Sequence, residues 1–133
     1  MKAFDKVVLM AGVLAVTTAA NAAAPTNVTP GTAIASTATG LNYELTTADC
    51  GFLANNIEFG LSANVAGGVA CTTAAGIAVA TANYKGRGRA YSLNTAGGNS
   101  VLETAAASKY ADAATAATAA QTAANTSNSS ASY

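Results

Sequence analysis

The stretch LNYELTTADCGFLANNIEFGLS, at residues 41–62, has the clearest strand pattern of the chain. Bulky apolar side chains alternate with polar or small ones at residues 41–45 and again at residues 57–61. This period-2 pattern is typical of strands that bury one face. The connecting segment, which includes Asp49 and Gly51, is typical of a turn. The stretch therefore predicts two strands of a small antiparallel β domain.

Two further segments continue this alternation and extend the predicted β domain to residues 41–100. One face of the first predicted strand carries Ile77, Val79 and Thr81. One face of the second carries Arg89, Tyr91 and Leu93. Glycine-rich stretches at residues 64–68 and 96–100 are predicted to be loops. We predict a mainly β fold. The alternative is an α+β fold, because the alanines of residues 69–84 are also compatible with a helix.

The chain has two cysteines, Cys50 and Cys71, and both lie in the predicted β domain. Their spacing matches neither a zinc site nor a redox centre. One intrachain disulfide is the simplest interpretation for an exported protein. In the chain-entropy model, closing a loop of about 22 residues stabilises a fold by roughly 3 kcal/mol. A bridge between subunits and two free thiols are the alternatives.

Residues 1–22 have the features of a signal peptide. Two lysines precede ten apolar residues, VVLMAGVLAV, and the sequence ANA at residues 20–22 fits the small-x-small cleavage rule. We predict cleavage between Ala22 and Ala23 and a secreted or cell-surface protein. The apolar run is shorter than the ~20 residues that span a bilayer, which argues against a retained membrane anchor. We expect no stable membrane span after cleavage. A retained anchor is the alternative.

Residues 23–40 connect the predicted cleavage site to the β domain. They are small and uncharged, and two prolines and a glycine argue against a helix. We predict an extended arm or a linker. As an arm, this segment would complete the sheet of a neighbouring subunit, with Val28 and Ile34 as candidate contacts.

The C-terminal part of the chain is rich in alanine, the best helix former. We predict a helix over residues 101–125, which contain neither glycine nor proline. Ser100 and Glu103 have the spacing of a capping box at its start. The polar residues 126–133 are predicted to form a flexible tail.

Composition argues against catalysis and against nucleic acid as a partner. The 133 residues include six Lys or Arg and six Asp or Glu, so the formal net charge is zero. Nucleic-acid binding requires a basic excess. The absence of His removes the commonest general base and a major metal ligand. We expect no enzymatic activity, no cofactor and no metal site.

The chain has few bulky side chains with which to build a core. It contains 36 alanines, and only 16 of the 111 residues after the predicted cleavage site are Ile, Leu, Val or Phe. That fraction lies below the ~20% typical of chains that fold alone. A disulfide, close packing of small residues and burial against copies of itself can each compensate. In composition the chain resembles pilins and matrix-fibre proteins as a class, and no motif narrows this to one family.

One basic and aromatic cluster is a candidate contact site. It contains three of the cations, separated by glycines and flanked by tyrosines: Tyr84, Lys85, Arg87, Arg89 and Tyr91. Such a cluster can bind an acidic patch on another subunit or an anionic glycan through Arg contacts. The alternative is a charged edge strand or turn that discourages unwanted pairing.

These observations lead to one main hypothesis and two alternatives. The main hypothesis is an exported structural subunit that assembles with copies of itself into an extracellular or surface filament, sheath or coat. The first alternative is a monomeric secreted module that binds a glycan or a surface protein through the basic and aromatic cluster. The second is a small membrane-active toxin or a phage coat component.

Overall fold

The computed structural model describes residues 24–51, 53–72, 76–95, 99–103 and 109–129, and for residues 99–103 it describes the backbone. The predicted signal peptide lies outside these residues. In chain order the elements are β1 (Thr26–Asn27), β2 (Leu41–Leu45), β3 (Ile57–Leu61), β4 (Val65–Thr72), β5 (Gly76–Asn83), β6 (Arg89–Asn94), β7 (Asn99–Glu103) and α1 (Ala113–Ser129).

The strands form two sheets. In the three-stranded sheet, β1 runs parallel to β2, and β2 runs antiparallel to β3. In the four-stranded sheet, β4 to β7 are neighbours in chain order and every pair is antiparallel. The predicted mainly β fold, with a Cys50–Cys71 disulfide and an alanine-rich C-terminal helix, is confirmed.

Helix α1 packs on one face of the four-stranded sheet through very small side chains. The buried cluster between them, here called the alanine core, consists of Ala66, Ala70, Ala78, Ala80, Ala82, Ala90, Tyr110, Ala116, Ala117, Ala119, Ala120, Ala123 and Ala124. The approach is closest at Gly68, where an added Cβ would lie 2.5 Å from the Cα atom of Gln121. Helix backbone and strand backbone are therefore in contact at this point, and only glycine fits between them.

The same contact satisfies part of the open edge of β4. The buried Gln121 side chain accepts a hydrogen bond from Val69 N–H (3.2 Å) and donates one to the Val69 carbonyl oxygen (3.0 Å). A primary amide presents one donor and one acceptor side by side, as a neighbouring strand would. Gln121 therefore takes the place of a strand partner at one position of this edge, and the bridge between Ile34 and Gly67 covers another.

The opposite face of the four-stranded sheet packs against the three-stranded sheet. The buried cluster between them, here called the apolar core, consists of Val28, Ile34, Tyr43, Leu45, Cys50, Leu61, Val69 and Ile77. The Cys50–Cys71 disulfide, with Cα atoms 5.9 Å apart, connects the turn after β2 to β4. It therefore crosslinks the two sheets directly beside the core that they share.

The segment predicted as an arm pairs with its own chain in this structure. Asn27 pairs with Glu44 of β2, and Ile34 forms an antiparallel bridge with Gly67 on the edge of β4. Val28 and Ile34 are both buried in the apolar core. The structure contains one chain, so pairing of this segment with a neighbouring subunit stays a prediction. However, a substitution at Ile34 would disturb the monomer's own core as well as any such contact.

The predicted start of the C-terminal helix is wrong. Residues 101–103 belong to β7, where Val101 pairs with Tyr91 and Glu103 pairs with Arg89, so Ser100 and Glu103 form no helix cap. Strand pairing with β6 overrides the local helix propensity. The helix begins at Ala113 and is capped by Asp112. It continues to Ser129, so the first four residues of the predicted tail are helical.

The loop predicted at residues 64–68 is also wrong, because all but its first residue belong to β4. In the sequence, Gly67 and Gly68 indicated a loop. In the structure, both lie in β4 and allow neighbouring groups to pack closely. A Cβ at Gly67 would lie 2.8 Å from Leu61 Cδ1, and one at Gly68 would meet the helix backbone. Each glycine therefore makes room for a neighbour on one face of the sheet.

Candidate interaction surface

The face of the four-stranded sheet that carries the apolar core is covered only in part. Val69 and Ile77 are buried on it, but Val79, Tyr91 and Leu93 are 37%, 54% and 61% exposed. Val79 pairs with Leu93, and Thr81 pairs with Tyr91, so these four residues form a contiguous patch on β5 and β6. We call this patch the exposed sheet face. Val79, Tyr91 and Leu93 are its large apolar side chains, and they project from paired strands.

A turn at residues 84–88, here called the basic turn, connects β5 to β6 beside this face. Asn83 fixes it, because its side-chain oxygen accepts a hydrogen bond from Lys85 N–H (2.9 Å) and its carbonyl accepts one from Gly86 N–H (3.1 Å). Tyr84 packs against the alanine core, and Lys85 Nζ lies 4.5 Å from the centre of its ring. The turn therefore presents its cations from an ordered backbone.

The predicted basic and aromatic cluster is only partly one surface. Arg89 and Tyr91 lie on the same face of β6, as the alternation predicted. Lys85 and Arg87 lie in the turn rather than on a strand. Tyr84, the first residue of the turn, is half-buried, so Tyr91 is the exposed aromatic ring of the cluster.

An acidic pair lies on the other sheet. Glu44 of β2 is directly opposite Glu58 of β3. Their neighbours in β2, Tyr43 and Leu45, are buried in the apolar core, so the glutamates lie on the outer face of the three-stranded sheet. Asn56 Nδ2 donates a hydrogen bond to Glu44 Oε1 (2.8 Å). The pair was not predicted from the sequence, although each glutamate occupies a polar position of an alternating strand.

The two described aspartates, Asp49 and Asp112, have local structural roles. Asp49 accepts a hydrogen bond from the Thr46 hydroxyl (2.5 Å) in the turn after β2. Asp112 Oδ1 accepts hydrogen bonds from Thr115 N–H (2.7 Å) and from its hydroxyl (2.9 Å) at the start of α1. These bonds favour the carboxylate and hold the pKa of Asp112 below its ordinary value.

Two tyrosines have raised pKa values for simple physical reasons. Burial in the apolar core raises the pKa of Tyr43. Burial also raises the pKa of Tyr110 in the alanine core, and the nearby Tyr91 adds to this shift. Neither phenol is therefore poised to lose its proton near neutral pH.

A shallow groove of about 360 Å³ lies beside the disulfide, between the helix end and β4. Asn128 lines it and donates a hydrogen bond to Thr72 Oγ1 (3.1 Å). The buried Oδ1 atom of Asn128 has no hydrogen-bond partner among the described residues. The Asn128 side chain is therefore held at the groove by one hydrogen bond, and its Oδ1 atom is not exposed to solvent in the groove.

Within the described ranges, no group of three His, Cys, Asp or Glu side chains is placed to hold a metal ion. In the same part of the chain, no helix combines the length and apolarity needed to cross a bilayer. No protein-family model matches the chain, and comparisons with curated proteins and with solved structures give no significant match.

Proposed function

We propose that the protein is an exported structural subunit that assembles with copies of itself into an extracellular or surface filament, sheath or coat. The exposed sheet face is the observation that carries this proposal. Contiguous exposed apolar patches on soluble proteins mark interaction sites. Val79, Tyr91 and Leu93 form such a patch on paired strands, so little backbone entropy is lost when a partner covers it.

The disulfide supports the exported part of the proposal. Cys50 and Cys71 are paired, and disulfides persist in oxidising compartments outside the cytosol. The composition supports the structural part, because a subunit with few bulky side chains gains stability when it buries surface against its neighbours. The proposal assigns no catalytic role and no cofactor to the chain.

The test is to change the exposed sheet face and measure assembly. The doubly substituted protein Tyr91→Ser/Leu93→Ser should remain monomeric where the wild type forms large particles in sedimentation and negative-stain images. Leu41→Ser is a matched control, because Leu41 is also a large exposed side chain, 42% accessible, on the other sheet. Assembly of the double variant at wild-type concentration would refute the role of this face.

A second candidate function is a monomeric module that binds an anionic glycan. Tyr91 is the observation in its favour, since an exposed aromatic ring beside Arg89 offers a stacking surface and a cation to an acidic sugar. Neutralising both Arg87 and Arg89 should then abolish retention on a sulfated glycan column without changing the oligomeric state. Unchanged retention would eliminate this candidate.

A further inference from the structure

Four of the described charged residues form two like-charged pairs on separate surfaces, whereas Arg89 lies on β6 and Lys109 lies before α1. The basic turn carries Lys85 and Arg87 at one end of the four-stranded sheet. The outer face of the three-stranded sheet carries Glu44 and Glu58. Among the described residues, no ion pair joins the two surfaces. Among the described side chains, each surface therefore lacks the opposite charge that the other one offers.

The acidic surface is unfavourable in an isolated chain. Like charges directly opposite each other on neighbouring antiparallel strands destabilise the pair, because their Cβ atoms are only about 5 Å apart. The Asn56 amide bonds one oxygen of Glu44 and brings no charge. A pair of cations placed over this face would convert the repulsion into two attractive contacts.

The basic surface is built to supply those cations. Hydrogen bonds of Asn83 fix the backbone of the turn, and Arg89 N–H donates to the Arg87 carbonyl oxygen (2.7 Å). Glycines flank Arg87 on both sides, so no bulky neighbour in the turn obstructs a surface that approaches this residue, while Lys85 Nζ lies 4.5 Å from the centre of the Tyr84 ring. The turn continues directly into β6, which places the charged contact at the border of the apolar exposed sheet face. Interfaces commonly combine an apolar centre with a polar rim of this kind.

We propose that copies of this chain assemble head to tail, with Lys85 and Arg87 of one copy on the Glu44–Glu58 pair of the next. The inference rests on the proposed self-assembly and identifies the contact that orients each copy relative to the next. Because the two surfaces differ, each contact leaves one basic turn and one acidic pair available at the ends. Such a heterologous contact propagates into a filament or closes into a ring.

Charge reversal with complementation tests the contact in the full-length, exported and oxidised protein. Two variants are needed, Lys85→Glu/Arg87→Glu and Glu44→Lys/Glu58→Lys. Each alone should raise the concentration required for assembly at least about tenfold, because like charges then face each other. An equimolar mixture should assemble near the wild-type concentration, since the turn of each variant fits the strand pair of the other.

Lys109→Glu is the matched control, because Lys109 is an exposed cation outside the basic turn. It should assemble like the wild type, and circular dichroism should show that all variants are folded. Assembly of the wild type should also weaken in 1 M salt, where the screening length is about 3 Å.

The outcomes separate this inference from the proposed function. If the wild type assembles and either reversal variant assembles equally well, the contact is wrong while self-assembly stands. If both variants fail and their mixture also fails, the two surfaces do not meet each other. A closed wild-type dimer would overturn the head-to-tail arrangement. If the wild type stays monomeric under all conditions, the proposed function fails and the contact fails with it.

Discussion

One face of the four-stranded sheet packs on a helix through alanine and glycine, whereas the other face packs on a second sheet through Leu, Ile, Val and Tyr. At Gly68 the first contact brings helix and strand backbones together. The second contact is filled by side chains and crosslinked by the Cys50–Cys71 disulfide. The alanine core gains its stability from close backbone approach and many short contacts, and the apolar core from buried area.

This difference implies opposite sensitivities to substitution. The alanine core has almost nothing to remove, so the damaging change there is an added methyl group. The apolar core has large side chains to lose, so the damaging change there is truncation, which leaves a cavity. The experiments below are given in decreasing order of the stability change that we expect, and all but the last, on Asp112, test this contrast.

Gly68→Val should lower the free energy of unfolding by more than about 4 kcal/mol, at the exceptional end for single substitutions. Any Cβ at this position would lie within 2.7 Å of three backbone atoms of Ala120 and Gln121. Backbone atoms cannot move aside as a side chain can. Urea unfolding of the purified protein measures the change.

Gly51→Val is the control for this substitution, because an added Cβ at Gly51 has no atom within 4 Å. It should change the free energy of unfolding by less than about 1 kcal/mol. Equal effects of the two substitutions would show that the helix does not contact β4 as described.

Leu45→Ala should cost about 3.5 kcal/mol, because Leu45 is 2% exposed in the apolar core and its truncation opens a cavity. Ala120→Gly, at a fully buried position of the alanine core, should cost only about 1 kcal/mol, mainly through helix propensity. Both values come from the same denaturant titration. A larger cost for Ala120→Gly than for Leu45→Ala would reverse the contrast between the two cores.

Reduction of the disulfide should lower the free energy of unfolding by about 3 kcal/mol, since the crosslink closes a loop between residues 21 positions apart. The loss of amide protection from hydrogen exchange should be greatest in β2 and β3, because the crosslink ties their sheet to β4. Amides of α1 and β5 should lose less. Uniform loss across all elements would contradict the separation of the two cores.

Acid should weaken the start of α1 through Asp112. The folded pKa of this carboxyl is depressed, so its contribution is complete above its unfolded pKa of about 3.9 and disappears as pH falls through the folded value. Asp112→Asn keeps an oxygen for Thr115 N–H but removes the charge. Wild type should therefore be more stable than Asp112→Asn at pH 6 and should lose that advantage below about pH 4. A difference independent of pH would show that the carboxylate does not act as the cap.

Prediction from sequence succeeded where side chains alternate by size and polarity. The strands at residues 41–45, 57–61 and 89–94 are of this kind, and so is the shared face of Arg89, Tyr91 and Leu93. It failed where small residues dominate. Gly67 and Gly68 look like loop residues in the sequence, because the helix and the Leu61 side chain that require them lie elsewhere in the chain.

The start of the helix failed for a related reason. Val101 alone favours a strand, but the alanines at residues 105–107 favour a helix, and pairing with Tyr91 places Val101 in a strand. The acidic pair was missed because opposition of Glu44 and Glu58 depends on the register of β2 and β3, which the sequence of either strand does not state. The disulfide was predictable, since the chain has only two cysteines.

The proposed function requires that this chain assembles with copies of itself. The decisive experiment is negative-stain electron microscopy of the protein without residues 1–22, purified without reducing agent and concentrated in low salt. We expect regular filaments or sheets for the wild type and their absence for Tyr91→Ser/Leu93→Ser at the same concentration. Dispersed single particles of the wild type, at high concentration and after prolonged incubation, would contradict it.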